Sequence, residues 1–136
     1  MKILLYPFLI AISIALAIAE TDETKETTDY HNLVSSSKLT IDYDIFGDST
    51  LLIDNSKNKT GNLNEILDYI EENKINGDVL VITVSKITHM DLNSESSHDL
   101  GKTISSGFEK HFKRVLVKLA LSNNHHGVVY DSKKED

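Results

Sequence analysis

The feature that most constrains the fold is a short apolar run from Val79 to Val84, in which several side chains are β-branched. A half-buried strand would alternate apolar and polar residues, whereas a continuous apolar run of this length is typical of a strand buried on both faces. Asn76-Gly77 precedes the run, and such pairs are typical of turns. We therefore predict a central strand over Val79–Val84, with the other elements packed around it.

Residues 1–19 have the organisation of a cleavable signal peptide. Lys2 supplies a short positive region, Ile3 to Ala19 is uncharged, and Ala17-Ile18-Ala19 has the small-x-small pattern of a cleavage site. An uncleaved anchor is the alternative, although 17 residues is at the lower edge of what spans a bilayer. We expect cleavage before Glu20 and a secreted protein, extracellular or, in a bacterium, periplasmic.

Composition narrows the possible functions. The chain has no cysteine, which excludes disulfides, thiol catalysis, cysteine-ligated zinc and iron–sulfur clusters. The formal net charge is −7, and loss of Lys2 with the signal peptide makes it one unit more negative. An acidic balance argues against nucleic acid and anionic membranes as partners. We expect an extracellular protein partner and no membrane association after cleavage.

The first half of the mature chain predicts a β-hairpin. Residues 20–37 read as an acidic disordered leader. Apolar and polar residues alternate from Lys38 to Phe46, which predicts a half-buried strand. Gly47-Asp48 predicts a two-residue turn, since glycine accepts a positive φ. Residues 49–53 then form the returning strand, and residues 54–61 are a polar loop.

Two helices are predicted, one before and one after the central strand in the chain. Asn62 and Glu65 form a capping box, followed by an apolar stripe of Leu63, Ile66, Leu67 and Ile70. Ser96 and Asp99 offer a second capping pair, after which apolar residues repeat every fourth position, at Leu100, Ile104, Phe108 and Phe112. Gly101 within this helix costs about 1 kcal/mol relative to alanine and would allow close packing on the sheet.

The remaining sequence predicts strands and a tail. Alternation from Val115 to Leu121 indicates another strand, Val128–Tyr130 a last short strand, and residues 131–136 a charged tail. The predicted fold is therefore α/β, a single domain over residues 38–130. It is a small mixed sheet in which a β-hairpin is followed by helix, strand, helix and strand. The two later strands should be parallel with a right-handed crossover, and the hairpin should add an antiparallel edge.

This order resembles the STAS domain of anti-sigma-factor antagonists and sulfate-transporter tails, over Leu39 to Leu121. Val79–Val84 matches the family's apolar strand, and Ile87 to Asp91 matches the entry to its loop. The family's phosphoacceptor serine follows the aspartate, but here Leu92 stands in that place, and the family works in the cytosol. The resemblance therefore implies a contact loop without a phosphorylation switch. The crotonase family opens similarly, but its glycine-rich oxyanion region has no counterpart here.

The loop singled out by this resemblance, Asp91 to Ser97, is the predicted contact surface and supplies the candidate binding residues Asp91, Leu92 and Ser94. Leu92 would anchor a partner; alternatively it packs beneath the second helix. Asp91 follows the central strand, where open α/β sheets bind ligands, but the simpler interpretation is a loop aspartate that accepts backbone N–H groups at the helix start. We therefore expect a secreted binding protein without catalytic residues, and the alternative is a small hydrolase-like enzyme that uses carboxylates near Asp91.

Other motifs in the sequence give weaker indications of function. Asn58-Lys59-Thr60 is an N-glycosylation triplet. His125 and His126 could bind a divalent metal, but the sequence spacing places no third ligand beside them. A polar turn is the simpler interpretation, so no metal or cofactor is assigned.

His111, beside the second apolar stripe, should be half-buried. A basic cluster could be a solvated face or a docking patch for an acidic partner; it consists of Lys110, Lys113, Arg114 and Lys118.

Overall fold

The computed structural model describes residues 30–44, 46–85, 94–120 and 126–135. The chain divides into two compact units, Met1–Asn32 and Leu33–Asp136, and the sheet belongs to the second. The predicted signal peptide, residues 1–19, lies outside the described residues. Within the described ranges, no helix is both long and apolar enough to cross a membrane.

The second unit is an α/β fold with one mixed sheet of six strands in the order β3-β2-β1-β4-β5-β6. The strands are β1 (Leu39–Asp44), β2 (Ser49–Ile53), β3 (Ser56–Gly61), β4 (Gly77–Ser85), β5 (Phe112–Ala120) and β6 (His126–Asp131). The helices are α1 (residues 30–36), α2 (Leu63–Glu72), α3 (Ser94–Ser105) and the short 3-10 helix η1 (Ser132–Glu135). The predicted α/β class with a mixed sheet is confirmed.

Strand β4 is the centre of the sheet, as its apolar run predicts. It pairs in parallel with β1 on one side and with β5 on the other. Leu80 and Ile82 face one side and Val81 the other, and all three are at most 1% exposed. The strand is thus buried on both faces, which explains why it tolerates no regular polar alternation.

Both main helices pack on the same face of the sheet. The steps from β1 to β4 and from β4 to β5 run in the same direction across the sheet, so right-handed connections place both helices on one side. Ile66 of α2 and Ile104 of α3 accordingly join one core cluster with Ile82. The capping box is present, with the Glu65 N–H donating to the Asn62 side chain at 2.9 Å.

Residues 54–61 were predicted to be a loop, and this prediction was wrong. They form a turn followed by the edge strand β3. Asp54 and Asn55 adopt φ values of +51° and +66°, which suit a tight turn between β2 and β3. Strand β3 then pairs antiparallel with β2. Its residues are mostly exposed, so it lacks the apolar alternation by which a strand is recognised in a sequence.

The second helix is shorter than predicted. Helix α3 ends at Ser105, and residues 106–111 form turns in which the Phe108 N–H donates to the Ser105 carbonyl at 2.9 Å. Phe108 and Phe112 are nevertheless 2% and 4% exposed, because the turn delivers them to the same core. A four-residue spacing of apolar side chains therefore identified buried positions here but not the end of the helix.

The two segments that flank the predicted domain also differ from expectation. Within the leader predicted over residues 20–37, residues 30–36 are helical, and residues 20–29 lie outside the described part. Of the predicted charged tail, Asp131 ends β6 and is only 4% exposed, while Ser132–Glu135 forms η1. Charge alone suggested solvent exposure, but the ion pair between Asp131 and Arg114 of β5 explains the burial of Asp131.

Candidate functional site

The carboxyl ends of the parallel strands define one edge of the sheet. Strands β1, β4 and β5 end there at Asp44, Ser85 and Ala120, and Asp44 pairs directly with Ser85. In open α/β sheets, ligands bind preferentially outside the carboxyl ends of strands. We call this the carboxyl edge, defined by Asp44, Ser85 and Ala120.

The residues predicted from the sequence as sites are connected to this edge. Asp91 and Leu92 lie outside the described residues, between the end of β4 and Ser94, which is the first residue of α3. His125 also lies outside them, and His126 begins β6 opposite Ala120. The contact loop was predicted to extend to Ser97, but Ser97 is only 8% exposed within α3 and is poorly placed to touch a partner.

At the carboxyl edge, the tip of the β1–β2 hairpin presents Phe46 to solvent. Its side chain is 83% exposed, which no other large apolar residue matches among those described. The Phe46 N–H donates to Asp44 Oδ1 at 2.9 Å, and the Gly47 N–H donates to the Asp44 carbonyl at 2.8 Å. Gly47 has φ +119°, a value that side-chain-bearing residues rarely adopt. The exposed aromatic ring thus belongs to a residue whose backbone N–H is hydrogen-bonded to Asp44.

The sequence contained the signal for this residue. Leu39, Ile41 and Tyr43 alternate with more polar neighbours, and Phe46 has the parity of exposed Asp42 rather than of buried Ile41. Continued past the end of β1 at Asp44, the same alternation would put Phe46 on the outward side, which is the signal that was available. Its significance as a candidate contact residue was nevertheless missed, because periodicity does not report how completely a turn residue is exposed.

The opposite edge of the sheet carries two shallow clefts. The larger, of about 420 Å³, lies between the starts of β4 and β5 and is lined by Asn76, Gly77, Asp78, Lys110, His111, Phe112 and Lys113. The smaller, of about 260 Å³, is lined by Leu33, Ser36, Ser37, Lys38, Leu39, Asp78 and Val79. Asp78 contributes to both clefts, and its side chain is 82% exposed.

Glu71 of α2 lies against two residues that line the larger cleft. Its Oε1 is 3.0 Å from Lys110 Nζ and 3.5 Å from His111 Nε2. The hydrogen bond from Lys110, and then the contact with His111, lower the pKa of the Glu71 carboxyl. The 3.5 Å separation is longer than a regular N–H···O hydrogen bond, so the histidine contact is the weaker of the two. His111 is 21% exposed, which confirms the predicted half-burial.

The basic cluster does not form one unpaired patch. Lys110 pairs with Glu71, Lys113 lies 3.3 Å from Asp78, and Arg114 lies 2.7 Å from Asp131. The three carboxylates lie on α2, β4 and β6, so each of these three cations pairs with a different element. Neutralisation of this kind does not favour a docking patch for an acidic partner.

A polar network joins β6 to the turn after α3. The half-buried carboxylate of Glu109 accepts hydrogen bonds from the Tyr130 hydroxyl at 3.0 Å and from the Ser105 hydroxyl at 3.1 Å. The His98 ring stands edge-on to Tyr130 with ring centroids 5.5 Å apart. Because Tyr130 and Ser105 are at most 4% exposed, the network stabilises the packing of β6 against the segment after α3.

The candidate modification site lies on the outermost strand. Asn58 is exposed on β3, and its Nδ2 donates to the Ser56 carbonyl at 2.9 Å. The side chains of the described ranges bring together no group of three or more histidine, cysteine, aspartate or glutamate residues able to hold a metal ion.

Comparison with known proteins returned no match among family models, curated proteins or solved structures.

Proposed function

We propose that this chain is an exported, non-catalytic protein that binds another protein through its carboxyl edge, with Phe46 as an anchor. The observation that carries the proposal is the 83% exposure of Phe46 on a hydrogen-bonded turn. Aromatic side chains are enriched at the cores of protein interfaces, where their burial removes a large apolar area from water. An aromatic ring on a defined turn therefore has the properties of a contact residue.

The turn geometry makes such an anchor effective. Binding costs free energy when side chains and loops must be ordered at the interface. Here Asp44 accepts hydrogen bonds from the backbone of Phe46 and Gly47, and the Asp44 N–H itself donates to the Asp48 carbonyl at 2.7 Å. The backbone around Phe46 is thus already organised before a partner arrives, which reduces the ordering cost.

The neighbouring loop is included in the same contact surface. The pairing of Asp44 with Ser85 supports adding the residues that follow β4, with Leu92 as a second apolar anchor and Asp91 and Ser94 beside it. The burial of Ser97 restricts this surface to residues before it. In the proposal, the partner therefore touches the hairpin tip and the start of the connection to α3.

We infer that the finer description of the fold is STAS-like. The order of hairpin, helix, strand, helix and strand supports it, and the additional edge strand β3 departs from the family pattern. Export is inferred from residues 1–19 alone. N-terminal sequencing of the protein from its native source tests export: a chain beginning at Glu20 supports it, and Met1 on a membrane-bound form contradicts it.

The test of the contact surface uses substitutions of Phe46 with matched controls. Phe46→Ser removes the apolar ring, Phe46→Leu keeps an apolar side chain, and Lys57→Ser changes an exposed residue that pairs with Leu52, away from the hairpin tip. All three variants should keep the wild-type melting temperature, because both positions are exposed. Proteins from the native extracellular fluid are then captured on each variant and quantified by mass spectrometry.

We expect a protein that wild type and Lys57→Ser capture equally, Phe46→Leu captures partly, and Phe46→Ser captures at least tenfold less. Capture of the same set of proteins by wild type and Phe46→Ser would contradict the proposed surface. Leu92→Asp tests the second anchor in the same assay. A large fall in its melting temperature would instead mean that Leu92 packs beneath α3.

A further inference from the structure

Strand β3 forms an outer edge of the sheet, since among the strands that the structure describes β2 is its only neighbour. An edge strand presents backbone N–H and C=O groups that can pair with the edge of another molecule. Four of the six residues of β3 are exposed, including Lys57 and Asn58. Charged side chains on an edge discourage such pairing, so this strand already carries one protective feature.

Asn58 occupies a special position on this edge. Leu51 and Leu52 of β2 pair with Lys59 and Lys57, so Asn58 between them has no partner residue on β2. It is therefore the extra residue of a β-bulge, where pairing is interrupted and the side chain is directed by the local kink. Its side chain is exposed, and so is Thr60, the hydroxyl-bearing third residue of the glycosylation triplet.

The hydrogen bonding of Asn58 is compatible with modification. The side-chain nitrogen carries two N–H groups, and one bond from it, to the Ser56 carbonyl at 2.9 Å, is present. One N–H can thus remain on the nitrogen when the other is replaced by a sugar. The triplet Asn58-Lys59-Thr60 is also the sole Asn-x-Ser/Thr triplet in the 136-residue sequence, which makes the site chemically unique.

From these observations we infer that Asn58 is an N-glycosylation site whose glycan covers the outer edge of β3. In the transfer, the Asn58 nitrogen bonds to the anomeric carbon of a polyprenyl-diphosphate-linked oligosaccharide. The bond from that carbon to the diphosphate breaks, the polyprenyl diphosphate leaves, and the amide loses one proton, with no oxidation or reduction. The inference rests on the export part of the proposed function and is independent of Phe46.

A glycan at the bulge would act on association between molecules. Glycans are bulky and solubilising, and one attached at Asn58 stands beside the backbone groups that an incoming strand would need. The bulge interrupts pairing at the same point, so the two features protect the same edge. The glycosylated protein should therefore be monomeric under conditions in which the unmodified protein associates through β3.

The experiment expresses the full chain in insect cells in two forms, one with residues 1–19 and one with these residues replaced by an established secretion signal. Each form is compared with Asn58→Gln and Thr60→Ala, which destroy the triplet, and with Thr60→Ser, which preserves it. Intact mass before and after N-glycosidase treatment reports the glycan, and sedimentation velocity over a concentration series reports association.

We expect a glycan mass on wild type and Thr60→Ser, removed by the enzyme with conversion of Asn58 to aspartate, and complete loss of that mass in Asn58→Gln and Thr60→Ala. An unmodified Asn58 on protein secreted by the established signal would overturn the site. Failure of the native leader alone would count against export while leaving the glycan result readable. If glycosylated and unglycosylated protein associated to the same extent over the concentration series, the protective role would be overturned.

Discussion

At the scale of single residues, two neighbouring cations of β5 show how exposure to solvent determines the contribution of an ion pair to stability. Arg114 makes two hydrogen bonds to Asp131, at 3.1 and 2.7 Å, and these side chains are 21% and 3% exposed. Lys113 pairs with Asp78 at 3.3 Å, but these side chains are 84% and 82% exposed. Water screens the second pair, whereas the first is largely shielded from solvent, so that removing one partner costs more free energy.

We therefore predict that Asp131→Ala lowers the free energy of unfolding by about 3–5 kcal/mol. Asp78→Ala, the matched control, should lower it by at most about 1 kcal/mol. Urea denaturation followed by circular dichroism measures both changes. The double variant Arg114→Met/Asp131→Leu should recover part of the loss, because it leaves no charge unpaired. Equal effects of the two single substitutions would contradict the distinction.

At the scale of elements, the packing of α3 on β6 depends on a glycine. A Cβ atom placed on Gly101 would lie 2.6 Å from Tyr130 Cβ and 3.2 Å from Val129 Cγ2. Both neighbouring atoms are close to the backbone of β6, so they cannot rotate away easily. The glycine that weakens the helix by its own propensity is thus required for the close approach of helix and sheet.

Replacing Gly101 with alanine should therefore destabilise the protein, although alanine is favoured over glycine by about 1 kcal/mol in a helix. Overpacking of this kind typically costs about 1–3 kcal/mol, and we expect a lower melting temperature. Thr103→Ala, at an exposed position of the same helix, is the control and should leave the melting temperature unchanged or slightly raised. A more stable Gly101→Ala variant would show that α3 can move away from β6 without cost.

At the scale of the whole molecule, the fold depends on the central strand β4, which pairs with β1 on one side and β5 on the other. Ile82 of β4 pairs with Ile41 of β1 and Val117 of β5, and all three are fully buried. The same core cluster receives side chains from α2 and α3. A charge introduced at Ile82 would therefore be buried between two neighbouring strands and beneath the helices, with no water to solvate it.

We predict that Ile82→Asp prevents folding, because the cost of several kcal/mol is comparable to the whole stability of a small domain, about 5–15 kcal/mol. Asp42→Ala changes an exposed residue of β1 and should fold normally. Circular dichroism and thermal melting of both purified variants make the comparison. A wild-type melting curve for Ile82→Asp would mean that β4 is not the central strand.

The sequence by itself determined the elements whose information is local. The apolar run of β4, the stripe and capping box of α2, and the alternation of β1 are all readable from neighbouring residues. The predicted two-residue turn at Gly47-Asp48 was wrong, because β1 already ends at Asp44 and β2 begins at Ser49. The other predictions succeeded because periodic burial and capping are imposed by the geometry of a single strand or helix.

Only the tertiary structure decided the features that depend on distant partners. Strand β3 is held by its pairing with β2 and lacks a buried face of its own, so its polar sequence resembles a loop. Helix α3 ends before Phe108 although the apolar spacing continues, because a turn reaches the same core. Asp131 has the sequence context of a charged tail, but its ion pair with Arg114 on the neighbouring strand stabilises it in a buried position. Such pairings join residues far apart in the chain, and no local periodicity encodes them.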